Sequence, residues 1–142
     1  MPLPPQKFRE AVFQILYSCD FAYSEEIVPF MMEELKATKK AMGDAQRRVN
    51  EILLKKEEID ALIGSRSTEY SFERISRVEK TILRLGVFEI LFDSSVPPVV
   101  VIAEAIRLCR KFATAESSQF VNAILDGVYK NHAEASIEPQ PV

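Results

Sequence analysis

Apolar residues recur along most of this chain at three- and four-residue steps, the spacing that lines one face of an α-helix. In the first such stretch Phe8, Ala11, Val12, Ile15, Leu16 and Cys19 form a stripe, which predicts a helix from about Gln6 to Ala22. Ser24, Glu25 and Glu26 then offer a cap and negative charge to a second helix start, and Pro29 suits a first turn. That helix is expected to bury Phe30, Met31 and Leu35, to run to Met42 and to stop at Gly43. Asp44 can cap a third helix, which would bury Val49, Ile52, Leu53, Ile59 and Ile63 and end at Gly64.

The polar run Ser65 to Thr68 is the best internal boundary, and Ser71 to Ser76 reads as a short helical turn. Ser76 and Glu79 have the spacing of a capping box and open a helix from Arg77 to Phe92. Val78, Ile82, Leu83, Leu85, Val87, Phe88, Ile90 and Leu91 cover nearly its whole circumference, the mark of a central, buried helix. Val99 to Ile102 is strand-like, but two features favour a helix. Pro98 fits a first helical position. Val99, Ile102, Ile106, Cys109 and Phe112 also continue a helical stripe past strand length. A last helix starts near Thr114 or Ala115 and is expected to bury Phe120, Val121, Ile124, Leu125 and Val128. From about Asn131 the chain turns polar, and a disordered tail is expected over 131–142. The fold class is all-α, about six to seven helices. The expected divisions are an arm at 1–5, a helical subdomain at 6–64, a linker at 65–70 and a second subdomain at 71–130.

Composition narrows the function. The chain has 142 residues, 47% apolar and 27% charged, enough to bury a core with neither metal nor disulfide. Eighteen basic against 21 acidic residues leave a net charge of −3, which weighs against strong stand-alone nucleic-acid binding. Cys19 and Cys109 each lie in an apolar helical face and read as two buried thiols of a reducing cytosol. The short, uncharged start and the lack of a long apolar run predict a soluble, cytoplasmic protein.

Catalytic chemistry is hard to write. With His132 as the only histidine and two distant cysteines, no metal site of ordinary spacing can be composed, and no cofactor is implied. Glycines are isolated, so no phosphate loop exists. Glu25/Glu26, Glu33/Glu34 and Glu57/Glu58 are sequence neighbours that a helix points about 100° apart, so they do not converge. Basic residues do gather. Arg74, Arg77, Lys80 and Arg84 share one helix side, and Arg107, Arg110 and Lys111 another. Lys7 and Arg9 open the first helix; Lys36, Lys39, Lys40, Arg47 and Arg48 lie further on. These clusters suit either ordinary solvation or a phosphate-tracking surface, and Tyr17, Tyr23, Tyr70 and Phe120 suit either core or base stacking.

Three segments carry a resemblance. FERISRVEKTILRLGVFEIL (Phe72 to Leu91), VPPVVVIAEAIRLCRKFA (Val96 to Ala113) and QFVNAILDGV (Gln119 to Val128) together resemble the NusB family of bacterial transcription antitermination factors. The opening KFREAVFQILYSCDF (Lys7 to Phe21) is similar to that family's first helix. The resemblance implies two antiparallel three-helix bundles packed together. It implies no enzyme activity, but binding to the boxA element of nascent ribosomal RNA, jointly with the ribosomal protein NusE, within the transcription elongation complex. It implies RNA contacts from Lys7, Arg9, Gln119, Phe120 and Asn122, and NusE contacts from Tyr17 and Glu79. Glu79 has a competing local role as the capping-box acid. The chain departs from the family in its sparse N-terminal arginines, in Ala103 of its Ile102-Ala103-Glu104-Ala105 run and in Ala123. Two alternatives remain at this point: an RNA-binding fragment of a ribosomal RNA cytosine methyltransferase, and a structural homodimer using an apolar face around Phe88 and Phe92.

Overall fold

The computed structural model describes residues 3–20 and 27–137, with the side chains of all but 27, 28 and 134–137. Its described residues form helices and one short 3-10 turn, with no strand among them. The expected cap at Ser24 to Glu26, with Tyr23, lies outside the described residues, as do residues 138–142. The chain divides into two compact units, Met1–Lys56 and Glu57–Val142. The seam therefore precedes the polar run that the sequence suggested as the boundary.

In the first unit α1 spans Pro5–Ser18, α2 Ile27–Leu35 and α3 Lys39–Leu54, and the three pack on one another. Pro5 stands at the first helical position of α1, where its missing N–H costs nothing. Ala11, Val12, Ile15 and Leu16 form its inward stripe, as expected. The second helix ends earlier than Gly43. Lys36 adopts φ 55°, the left-handed region. The Ala37 N–H then donates to the Met32 carbonyl at 2.9 Å and the Lys36 N–H to Glu33 at 3.4 Å, the pair of bonds of a Schellman stop. Thr38 starts α3 at once, its Oγ1 accepting from the Ala41 N–H at 3.1 Å. A threonine cap here outweighs the glycine signal, and Gly43 sits inside α3. Phe30 was expected in the core but is 59% exposed.

In the second unit α4 spans Lys56–Arg66, a 3-10 turn covers Phe72–Arg74, and α5 (Arg77–Phe92), α6 (Pro98–Phe112) and α7 (Ala115–Ile137) pack pairwise. The long third helix of the sequence reading is thus two helices broken at Lys55, whose N–H turns back to the Ile52 carbonyl at 3.0 Å. Gly64 lies within α4. The capping box that opens α5 is complete: Glu79 N–H donates to Ser76 Oγ at 3.2 Å, and Ser76 N–H to Glu79 Oε1 at 3.3 Å. Thr81 through Ile90 are all buried, so α5 is the central helix. Gly86 permits that centrality: a Cβ there would lie 2.9 Å from Leu125 Cδ1 of α7. Arg84 ties α5 to α4 with a two-pronged bond to Asp60, Nε to Oδ1 at 2.8 Å and Nη2 to Oδ2 at 3.0 Å.

α6 is helical as predicted, but its inward face is rotated. Val101, Glu104, Ala105, Leu108 and Cys109 are buried, whereas Val99 is 73% exposed. Helix α7 runs to Ile137, past the point where a tail was expected. No helix among the described residues is long and apolar enough to cross a membrane.

A candidate nucleic-acid interface

Within the second unit, the chain between α4 and α5 and the first turns of α7 enclose a groove of about 910 Å³. One wall comes from Arg66, Thr68, Glu69 and Tyr70, with Arg74, Ser76 and Glu79 beyond them. The other comes from Thr114, Glu116, Ser117, Gln119, Phe120, Ala123 and Ile124. Local bonds hold both walls. Ser67 Oγ donates to the Tyr70 carbonyl at 2.5 Å, fixing the turn that carries the tyrosine. Thr114 Oγ1 accepts the Ser117 N–H at 3.1 Å, starting α7 at the register that brings Phe120 to the groove. The Tyr70 and Phe120 rings meet edge to face across it, centroids 5.5 Å apart and planes at 75°.

The structure therefore brings together three of the residues implicated from sequence, Glu79, Gln119 and Phe120, in one groove. Asn122 is exposed on α7 but outside the groove lining. The residues of α1 belong to the first unit. There Lys7 is exposed, Arg9 is 8% exposed and buried, and Tyr17 is half-buried with its ring stacked on Phe13 at 6.0 Å. The basic stripe of α5 does not survive as one surface. Arg84 is enclosed with Asp60, Lys80 Nζ lies 4.4 Å from the centre of the Phe72 ring, and Arg74 faces the groove. On α6 Arg107 Nε is bound to Glu104 Oε2 at 2.5 Å. The sequence reading missed Arg66, which lines the groove; its place at the end of a helix wrongly thought to stop at Gly64 hid it.

Both thiols are raised above the ordinary cysteine value, which disfavours the thiolate. Burial, reinforced by the Glu79 charge, pushes Cys109 up to about 11. Cys19 is raised by burial and by Asp20, with Lys56 opposing. Among the described residues no group of histidine, cysteine, aspartate and glutamate side chains could hold a metal ion. Phe88, suggested as part of a self-association face, is buried, with only its neighbour Phe92 substantially exposed.

An all-α chain of two small helical units, with an aromatic-edged polar groove at the start of its last helix, is a helical binding module. Comparison with known proteins identifies which kind. The NusB family model matches residues 6–130, and the chain belongs to the NusB family. It is 38% identical over 128 residues to the transcription antitermination protein NusB of Chlamydia pneumoniae, covering 89% of this chain and 80% of that protein. It is 37% identical over 135 residues to the NusB of Thermotoga maritima, covering 94% and 95%. A solved structure of T. maritima NusB superposes with TM-score 0.78 at 34% identity, over 96% of this chain and 97% of that one. A crystal structure of antitermination factors NusB and NusE in complex with double-stranded RNA gives TM-score 0.74 at 31% identity, over 89% and 96%.

Proposed function

We propose that this chain is a cytoplasmic transcription antitermination factor. It binds boxA-type RNA of nascent ribosomal RNA transcripts together with the ribosomal protein NusE, as part of the elongating transcription complex. The observation that carries this reading is the match to antitermination proteins along nearly the whole chain, joined to the likeness to a chain of a crystal structure of NusB and NusE in complex with double-stranded RNA. The groove fits it, since it collects Gln119 and Phe120, which the resemblance implicates in RNA contact, beside Glu79, which it implicates in NusE contact.

The division of labour follows from exposure and charge. Lys7 is the α1 residue best presented for a phosphate, and Arg9, being buried, acts by shaping that helix start. Gln119 and Asn122 offer amide groups to base edges, and Phe120 an aromatic ring. Tyr17 and Glu79 serve the protein partner. Glu79 is already engaged by its capping bonds, so it presents its second oxygen only while the α5 start stays folded. The protein acts by binding, with no reacting groups of its own. A net charge of −3 makes its own RNA affinity modest and leaves NusE to supply positive charge. The relatives it matches over most of their length are antitermination proteins, which favours this reading over a methyltransferase fragment.

Tagged protein captured from bacterial lysate is expected to retain NusE and leader RNA bearing boxA, the RNA lost on ribonuclease treatment and NusE kept. Recovery of neither contradicts the proposal.

A further inference from the structure

We infer that Tyr70 forms, opposite Phe120, a stacking wall for one unpaired nucleobase of the bound RNA; this rests on the RNA-binding function proposed above. Tyr70 is 48% exposed, yet its backbone is pinned by Ser67 and its ring is held at 75° against the Phe120 ring. An aromatic held in place while about half of it stays exposed is suited to stacking, because little ordering is left for the ligand to impose. The two rings meet at 75° and are not stacked in parallel, so a flat ligand has no parallel stack to displace.

Charge decides which part of the RNA enters. The lining holds Glu69, Glu79 and Glu116 against Arg66 and Arg74, so a phosphate inside would face more carboxylates than guanidinium groups. A neutral base meets no such repulsion, and those carboxylates and Gln119 can accept from its amino group. A turn outside the helices, at the edge of a rigid bundle, is also where contact residues usually sit.

The test measures anisotropy of a labelled boxA-type RNA oligonucleotide with the full chain, with and without NusE. Tyr70→Ala is expected to weaken binding about 5- to 100-fold while staying folded at the assay temperature, with a modestly lowered melting point from the lost Phe120 contact, and Tyr70→Phe is expected close to wild type in both. In a series of oligonucleotides each lacking one base, one position should bring wild type and Tyr70→Ala to the same affinity. An unchanged affinity in Tyr70→Ala, or a loss that persists at every abasic position, overturns the inference while leaving RNA binding standing. Loss of NusE binding alone gives the wall to the protein partner and overturns it too. Failure of the unaltered chain to bind RNA overturns the functional proposal itself, and this inference with it.

Discussion

Replacing Arg84 with methionine is expected to lower the unfolding free energy by about 3 kcal/mol, measured by urea titration. The side chain of Arg84 is 6% exposed and that of Asp60 19%, so methionine would strand a carboxylate where water reaches it poorly. Arg84→Lys keeps the charge but loses the two-pronged geometry and should fall between the two. Adding Asp60→Leu to Arg84→Met should recover most of the loss, because a buried pair replaced whole by apolar groups leaves no unpaired charge. A cost below about 1 kcal/mol for Arg84→Met would mean the pair is a surface contact in solution. At temperatures where Arg84→Met is folded, its RNA affinity should match wild type, since the guanidinium is turned into the unit and away from any ligand.

A second large effect is expected at Gly86. Its missing Cβ is what lets α5 and α7 approach, with Leu125 Cδ1 and Cδ2 at 2.9 and 3.0 Å from where one would stand. Both residues are fully enclosed, so the leucine methyls have little room to yield. Gly86→Val should therefore cost about 3 kcal/mol, even though valine is a better helix former than glycine. Leu125→Ala alone leaves a cavity and should also cost about 3 kcal/mol. Together the two should cost well under their sum, because the added methyls fill the space the leucine vacates. Simple additivity in that cycle would show that the helices do not meet at this point.

Much of the second unit was legible from sequence because its signals agree. The capping box at Ser76 and Glu79 and the nearly uniform apolar run of α5 both point to one buried helix, and it spans Arg77–Phe92 as read. The face of α6 was misread for a concrete reason. The expected stripe Val99, Ile102, Ile106, Cys109 and Phe112 lies beside a second apolar row, Val101, Ala105 and Leu108; packing against α5 and α7 buries that row together with Cys109. Glycines at 43 and 64 looked like stops, whereas the breaks fall at Lys36 and Lys55. Lysine in the left-handed region carries no sequence mark, and Thr38 competes as a cap only once the Schellman stop has formed. The groove was partly visible as Gln119, Phe120 and Glu79. Tyr70 was ambiguous between core and stacking because a ring's exposure depends on how the linker folds, which its own bond to Ser67 sets. The basic stripe of α5 failed as a surface because periodicity locates side chains on a helix but not their partners across the unit, such as Asp60 for Arg84.

In the function proposed above, this molecule is half of a two-protein RNA clamp, contributing shape and base contacts while its partner contributes charge. The most direct measurement is the dissociation constant for boxA-type RNA, determined across a salt series with and without NusE. The chain alone should bind weakly. NusE should tighten binding by at least about tenfold, and affinity should fall steeply with salt as phosphate contacts release their counterions. An affinity that NusE leaves unchanged, or one no better for boxA than for a scrambled RNA, would contradict the claim.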